Sequence, residues 1–183
     1  MRLNNKTYEY LKQMVADMFV EYDIKGIPIC AFEIATKMGL KIIPYSALDN
    51  EKYSEALKYS LDGFSVESLT GEWTIYYNDS RTYQRINQTI MHEVAHYFLG
   101  HTEEGEEEEA EAKFFAKYTL ASPMLIRNIK VEKNIENIAE ELDISLQAAD
   151  FALQYYNTRL TYGPKYWTIY EQQILNQLEI SNI

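Results

Sequence analysis

The chain has 183 residues, with 17 Lys and Arg against 28 Asp and Glu, for a net charge of −11. That length suffices for one domain with its own core. A composition 46% apolar and 25% charged is that of a folded globular protein, not a disordered one. The acidic balance works against a general role on nucleic acid or on an anionic membrane, since both need a basic face. Cys30 is the single cysteine, so no internal disulfide can form. Met1–Thr7 lacks the apolar segment of a signal peptide, and no apolar run is long enough to span a bilayer. A cytoplasmic protein without a membrane span is therefore expected. Cys30 lies in the apolar run Ile27–Phe32 and reads as a small buried hydrophobe.

Tyr10, Leu11, Met14, Val15, Met18 and Phe19 keep helical spacing, which predicts a helix from about Thr7 to Tyr22. Gly26-Ile27-Pro28 interrupts it. A short helix over Cys30–Met38, stopped by Gly39, precedes a strand over Leu40–Tyr45. Residues 46–60 are polar, rich in tyrosine and without a clear period. Gly63–Val66 and Trp73–Tyr77 read as strands joined by a turn at Gly71. From Thr82 onward the pattern is helical: Thr82–Leu99 ending at Gly100, a helix from Glu106 to before Pro123, another after Pro123, then Ile135–Leu142, Ser145–Tyr162 and Tyr166–Leu178. The fold class expected is α+β, a small N-terminal antiparallel sheet packed on a mainly helical body. Residues 1–183 are expected to form a single domain with a helical tail from about 123.

His92-Glu93-Val94-Ala95-His96 is an H-E-x-x-H motif on a predicted helix. Residues four apart leave the same helix face one turn apart, so two imidazole nitrogens can meet one Zn²⁺. Glu93 lies beside them, where a carboxylate can take a proton from a water made acidic by the metal and pass it to a leaving amine. Ile86, Ile90, Ala95 and Phe98 provide the apolar stripe that buries the helix. A catalytic zinc wants a third protein ligand. His101 follows His96 by five residues, which does not fit the metzincin spacing, and reads as a helix-end or surface histidine. The glutamates of the next helix remain. Glu109 shares a face with Ala112, Phe115, Ala116 and Thr119, and Glu111 lies beside that face. Glu109 is the better candidate, with Glu111 kept open. Glu103, Glu104, Glu106, Glu107 and Glu108 read as a solvated loop and first helical turn, where acidic side chains suit the helix dipole. Residues 103–111 hold seven of the 28 acidic residues, so the acidity is largely local.

His92–His101 followed by Glu109-Ala110-Glu111-Ala112-Lys113-Phe114-Phe115-Ala116, Leu120 and Pro123 resembles the ImmA/IrrE family of metallo-endopeptidases. Glu109, Ala112, Phe115 and Ala116 match its second motif. Lys113 stands where asparagine is usual, and the end of that motif is slightly shifted. The likeness extends upstream to Trp73–Asn78 and downstream through Ile138–Leu142. It implies a zincin-like body with a gluzincin-type site, in which His92, His96 and Glu109 bind Zn²⁺ and Glu93 is the general base. It further implies a bacterial or mobile-element protein that cleaves a specific regulatory protein, possibly a helix-turn-helix repressor.

Two rival readings belong to other classes. One is a zinc-dependent sensor or interaction module with little peptidase activity. The other is a DNA-binding regulator, because residues 138–160 resemble a helix-turn-helix. That segment lacks the turn glycine and has no Lys or Arg before Arg159, so direct nucleic-acid binding is disfavoured. Arg81 and Arg85 fit either substrate carboxylates or partners in the acidic segment. Tyr76, Tyr77 and Tyr97 are candidate oxyanion donors, with packing the simpler role for each.

Overall fold

The computed structural model describes residues 1–102 and 105–179, so Glu103 and Glu104 lie outside the described residues. The elements run α1 (Asn5–Glu21), α2 (Ala31–Lys37), β1 (Lys41–Pro44), a 3-10 turn (Tyr45–Ala47), α3 (Asn50–Tyr59), β2 (Gly63–Glu67), β3 (Trp73–Tyr77), α4 (Tyr83–Leu99), α5 (Glu106–Ala121), α6 (Pro123–Asn128), α7 (Ile135–Leu142), α8 (Leu146–Tyr162) and α9 (Ile169–Glu179). This is the mixed α and β architecture expected. None of the described helices is long and apolar enough to cross a membrane.

Helix starts follow from local capping chemistry. The side chains of Asn4, Asp49, Thr82, Asn134 and Ser145 each accept a backbone N–H from the first turn of α1, α3, α4, α7 and α8. Helix α2 has no such cap of its own. Its Ala31 N–H donates instead to the buried Asn87 Oδ1 of α4 at 2.7 Å. Cys30, at the mouth of α2, is half-buried rather than buried, and its sulfur lies 3.7 Å from the Tyr83 hydroxyl. Helix α3 fills the stretch that had no readable period.

The chain divides into two compact units, Cys30–Ala116 and Met1–Ile29 with Lys117–Ile183. In the second of these, α1 packs on α9, α6 packs on α8 and α9, and α7 packs on α8. Leu11, Met18, Phe19, Leu125, Ile138, Ile174 and Leu178 are fully buried in it. Glu171 is buried there and takes two charge-assisted bonds from Arg159, at 2.6 and 2.7 Å.

In the unit Cys30–Ala116 the strands lie in the order β1-β3-β2. β2 and β3 pair antiparallel, with Ser65 opposite Ile75, whereas β1 and β3 pair parallel, with Ile42 opposite Ile75. The expected antiparallel sheet is thus corrected to a mixed one. The chain from β1 to β3 passes through α3 and β2, long enough for the crossover that parallel pairing requires. Ile75 of the central strand is fully buried, as are Ile90, Met91, Val94 and Ala95 of α4.

Strand β2 lies close to α4 because Gly63 has no side chain. A Cβ at Gly63 would come within 2.6 Å of Thr89 Cγ2 and 2.7 Å of the Tyr76 carbonyl oxygen. Gly63→Ala is expected to force the strand away from the helix at a cost of ~1–3 kcal/mol. The midpoint of thermal unfolding reads this as a drop of several degrees, and an unchanged midpoint would show that the approach is not tight.

Candidate metal centre

Helix α4 carries His92, Glu93 and His96, and Thr82 fixes its start. At its end Gly100 has φ +70°, in the left-handed region where a residue without Cβ is unstrained. The Gly100 N–H donates to the Tyr97 carbonyl and the His101 N–H to that of His96. This is the Schellman ending, which turns the chain back over the last helical turn. Helix α5 then supplies Glu109, Glu111 and Lys113.

His92 Nε2 and His96 Nε2 lie 3.2 Å apart. Glu109 Oε1 lies 3.5 Å from the first and 3.3 Å from the second. Among the described residues, His92, His96 and Glu109 form the one group able to hold a metal ion in this way. A tetrahedral ion with bonds of about 2.0–2.1 Å separates its ligand atoms by about 3.3 Å, so the residues present fit one. Glu111 does not join this group. Its Oε2 lies 3.1 Å from His101 Nε2.

The electrostatics suit a cation. Burial lowers the pKa of His92, against the raising influence of Glu109. Burial also lowers His96, to about 4, with His92 and His101 acting in the same direction and Glu109 opposing. Both rings are therefore neutral at pH 7, with a lone pair to offer. Burial works to raise the Glu109 carboxyl, but the hydrogen bond from Lys113 and the electrostatic influence of His92, Lys113 and His96 outweigh it and hold the group below the usual range. Lys113 Nζ binds Glu109 Oε2 at 2.9 Å.

Glu93 is only 8% exposed, and the Ser65 hydroxyl donates to its Oε2 at 2.6 Å. Strand and helix periods match here. Gly63 and Ser65 are two apart on one face of β2, and they meet Thr89 and Glu93, which are four apart on α4. A cleft of about 760 Å³ opens over these residues, lined also by Phe64, Trp73 and Gln88.

Several sequence expectations resolve differently. His101 does end the helix region, but its side chain is 8% exposed and its Nδ1 lies 3.0 Å from His96 Nδ1, so it is no surface histidine. Arg81 and Arg85 bind Asp62, at 3.3 and 2.6 Å, and not the described glutamates of the acidic segment. The three tyrosines named as donors pack on aromatic neighbours: Tyr76 on Phe64, Tyr77 on Phe32 and Tyr97 on Trp73. Ser65, His101 and Glu111 have clear places that spacing alone did not assign. For His101 the signal was Gly100, because the residue after a Schellman glycine commonly touches the one five before it.

Residues 35–154, well over half of the chain, match the family model described as IrrE N-terminal-like domain, Peptidase_M78. Among curated proteins none matches.

The pKa directions give a sign for pH dependence. A histidine neutral when folded and ordinary when unfolded contributes stability above pH 6.5 that is lost as pH falls towards about 4. The chelator-treated protein is expected to melt at progressively lower temperature across that window. His96→Phe should flatten the slope. An equal slope in both proteins would assign the titration elsewhere.

Proposed function

We propose that this chain, which belongs to the IrrE N-terminal-like (ImmA/IrrE) family of metallopeptidases, is a zinc-dependent endopeptidase acting on a protein substrate. The observation that carries the reading is the triangle of His92 Nε2, His96 Nε2 and Glu109 Oε1, with edges of 3.2–3.5 Å, beside a buried carboxylate in an open cleft. In this reading His92, His96 and Glu109 hold Zn²⁺, as in a gluzincin. When bound, zinc supplies Lewis acidity to water and to a peptide carbonyl.

The remaining work falls to side chains of the chain itself. Glu93 takes the proton of the attacking water and delivers it to the nitrogen of the departing amine. The Ser65 hydroxyl donates to Glu93 Oε2 and so helps to hold the carboxylate in place. β2 is an edge strand that lines the cleft, so an extended peptide can add to it by main-chain hydrogen bonds. A repressor-type regulator as substrate follows from the family resemblance, and a cytoplasmic location from the single cysteine, Cys30. A single domain over 1–183, with the helices beyond about 123 as its tail, remains part of the same proposal.

Glu93→Gln separates an enzyme from a zinc-dependent sensor. Substrate cleavage is expected to fall by about 10²–10⁴-fold, the usual worth of a positioned acid–base group, with zinc content unchanged. His92→Ala is expected to lose zinc as well. A biological effect that survives intact in Glu93→Gln would refute the peptidase reading, and full zinc content in His92→Ala would refute the ligand assignment.

A further inference from the structure

His101 and Glu111 are metal-ligating residue types that lie near the triangle without belonging to it. His96 uses Nε2 to face His92 and Glu109. Its other nitrogen, Nδ1, lies 3.0 Å from His101 Nδ1, and His101 Nε2 lies 3.1 Å from Glu111 Oε2. The side chains of His96, His101 and Glu111 are 12%, 8% and 20% exposed, so water does not freely replace these contacts.

We infer that Glu111 and His101 are positioning residues, a relay that fixes the tautomer and the ring orientation in which His96 presents Nε2 to the metal. The inference rests on the zinc-site reading above.

Proton bookkeeping leaves one arrangement. A metal at His96 Nε2 needs the lone pair there, so the proton of the neutral ring is on Nδ1. Two Nδ1 atoms at 3.0 Å need one donor and one acceptor. His96 is the donor, and His101 Nδ1 is the bare acceptor. The proton of His101 is then on Nε2, where it meets the Glu111 carboxylate, an acceptor only. Each donor finds an acceptor, and the chain ends on a negative charge. That charge polarises both rings and strengthens Nε2 of His96 as a donor to a cation. His101 cannot itself complete the triangle while it holds this position, because it meets His96 on the ring nitrogen that faces away from the triangle.

The backbone explains the placement. The left-handed Gly100 folds His101 back so that the two rings meet with centroids 5.0 Å apart and planes at 72°. Helix α5 then brings Glu109 to the triangle and Glu111, two residues on, to His101. The glutamate left over when the third ligand is assigned thus has its own task.

The test is zinc affinity of the full chain at fixed pH, by competition with a chromophoric chelator, together with the visible spectrum of the Co²⁺-loaded protein. His101→Phe keeps the ring and removes the acceptor, and is expected to weaken zinc binding by about 10–100-fold, the usual effect of losing an outer partner of a metal-bound histidine. The Co²⁺ spectrum should change with it. His101→Asn, whose amide oxygen can take the place of Nδ1, should recover part of the loss. Glu111→Ala should weaken binding, and Glu111→Ala combined with His101→Phe should be no weaker than His101→Phe alone. Circular dichroism of the metal-free variants checks the fold. Unchanged zinc affinity in a folded His101→Phe overturns the relay, as do additive losses in the double variant. Equal zinc binding by wild type and His92→Ala overturns the zinc site itself, a distinguishable result.

Discussion

Three acceptor atoms, two imidazole nitrogens and a carboxylate oxygen, lie within 3.5 Å of one another. At that spacing their lone pairs repel unless a cation or a shared proton lies among them. Burial disfavours a second proton on either ring at neutral pH. A divalent cation satisfies all three at once. The unit Cys30–Ala116 builds this arrangement from a helix pinned at both ends, a second helix returning a carboxylate, and a strand close enough to bind Glu93.

The strand and the helix divide the labour. α4 is rigid because its apolar face, Ile90, Met91, Val94 and Ala95, is fully buried. It therefore holds the two rings in a fixed relation. β2 meets the same helix on the neighbouring face, through the bare Gly63 and the hydroxyl of Ser65. The side that carries His92 and His96 and the side that holds Glu93 thus share one helix without sharing residues. Asn87 extends this economy by using an α4 side chain to satisfy the first N–H of α2.

Much of this was legible before the structure. The helices α1, α4 and α7 were readable to within a few residues because burial on one face leaves a 3.6-residue mark, and α8 because Ser145 caps its start and Gly163-Pro164 breaks its end. His92, Glu93 and His96 were readable because chemistry fixes their spacing. Helix α3 was not, since its inward face is narrow: Ala56 is its one buried residue, with Tyr53 and Leu57 half-buried beside it. The parallel pairing of β1 with β3 was not, because strand order depends on partners distant in sequence. Glu111 and Ser65 have no local mark either: each is defined by a contact with another element, Glu111 with His101 and Ser65 with Glu93.

The ion pair between Lys113 and Glu109 bears on denticity. Lys113, one helical turn after Glu109, occupies Oε2, while Oε1 faces the two histidines. A free carboxylate often wraps a cation with both oxygens. In this one Oε2 already accepts from Lys113, which favours a contact through Oε1. An ion held by two nitrogens and one oxygen keeps coordination positions for other ligands, which a structural four-ligand zinc does not. In the proposed zinc site, the ammonium on Oε2 would favour a one-oxygen contact by Glu109 and so leave coordination positions open.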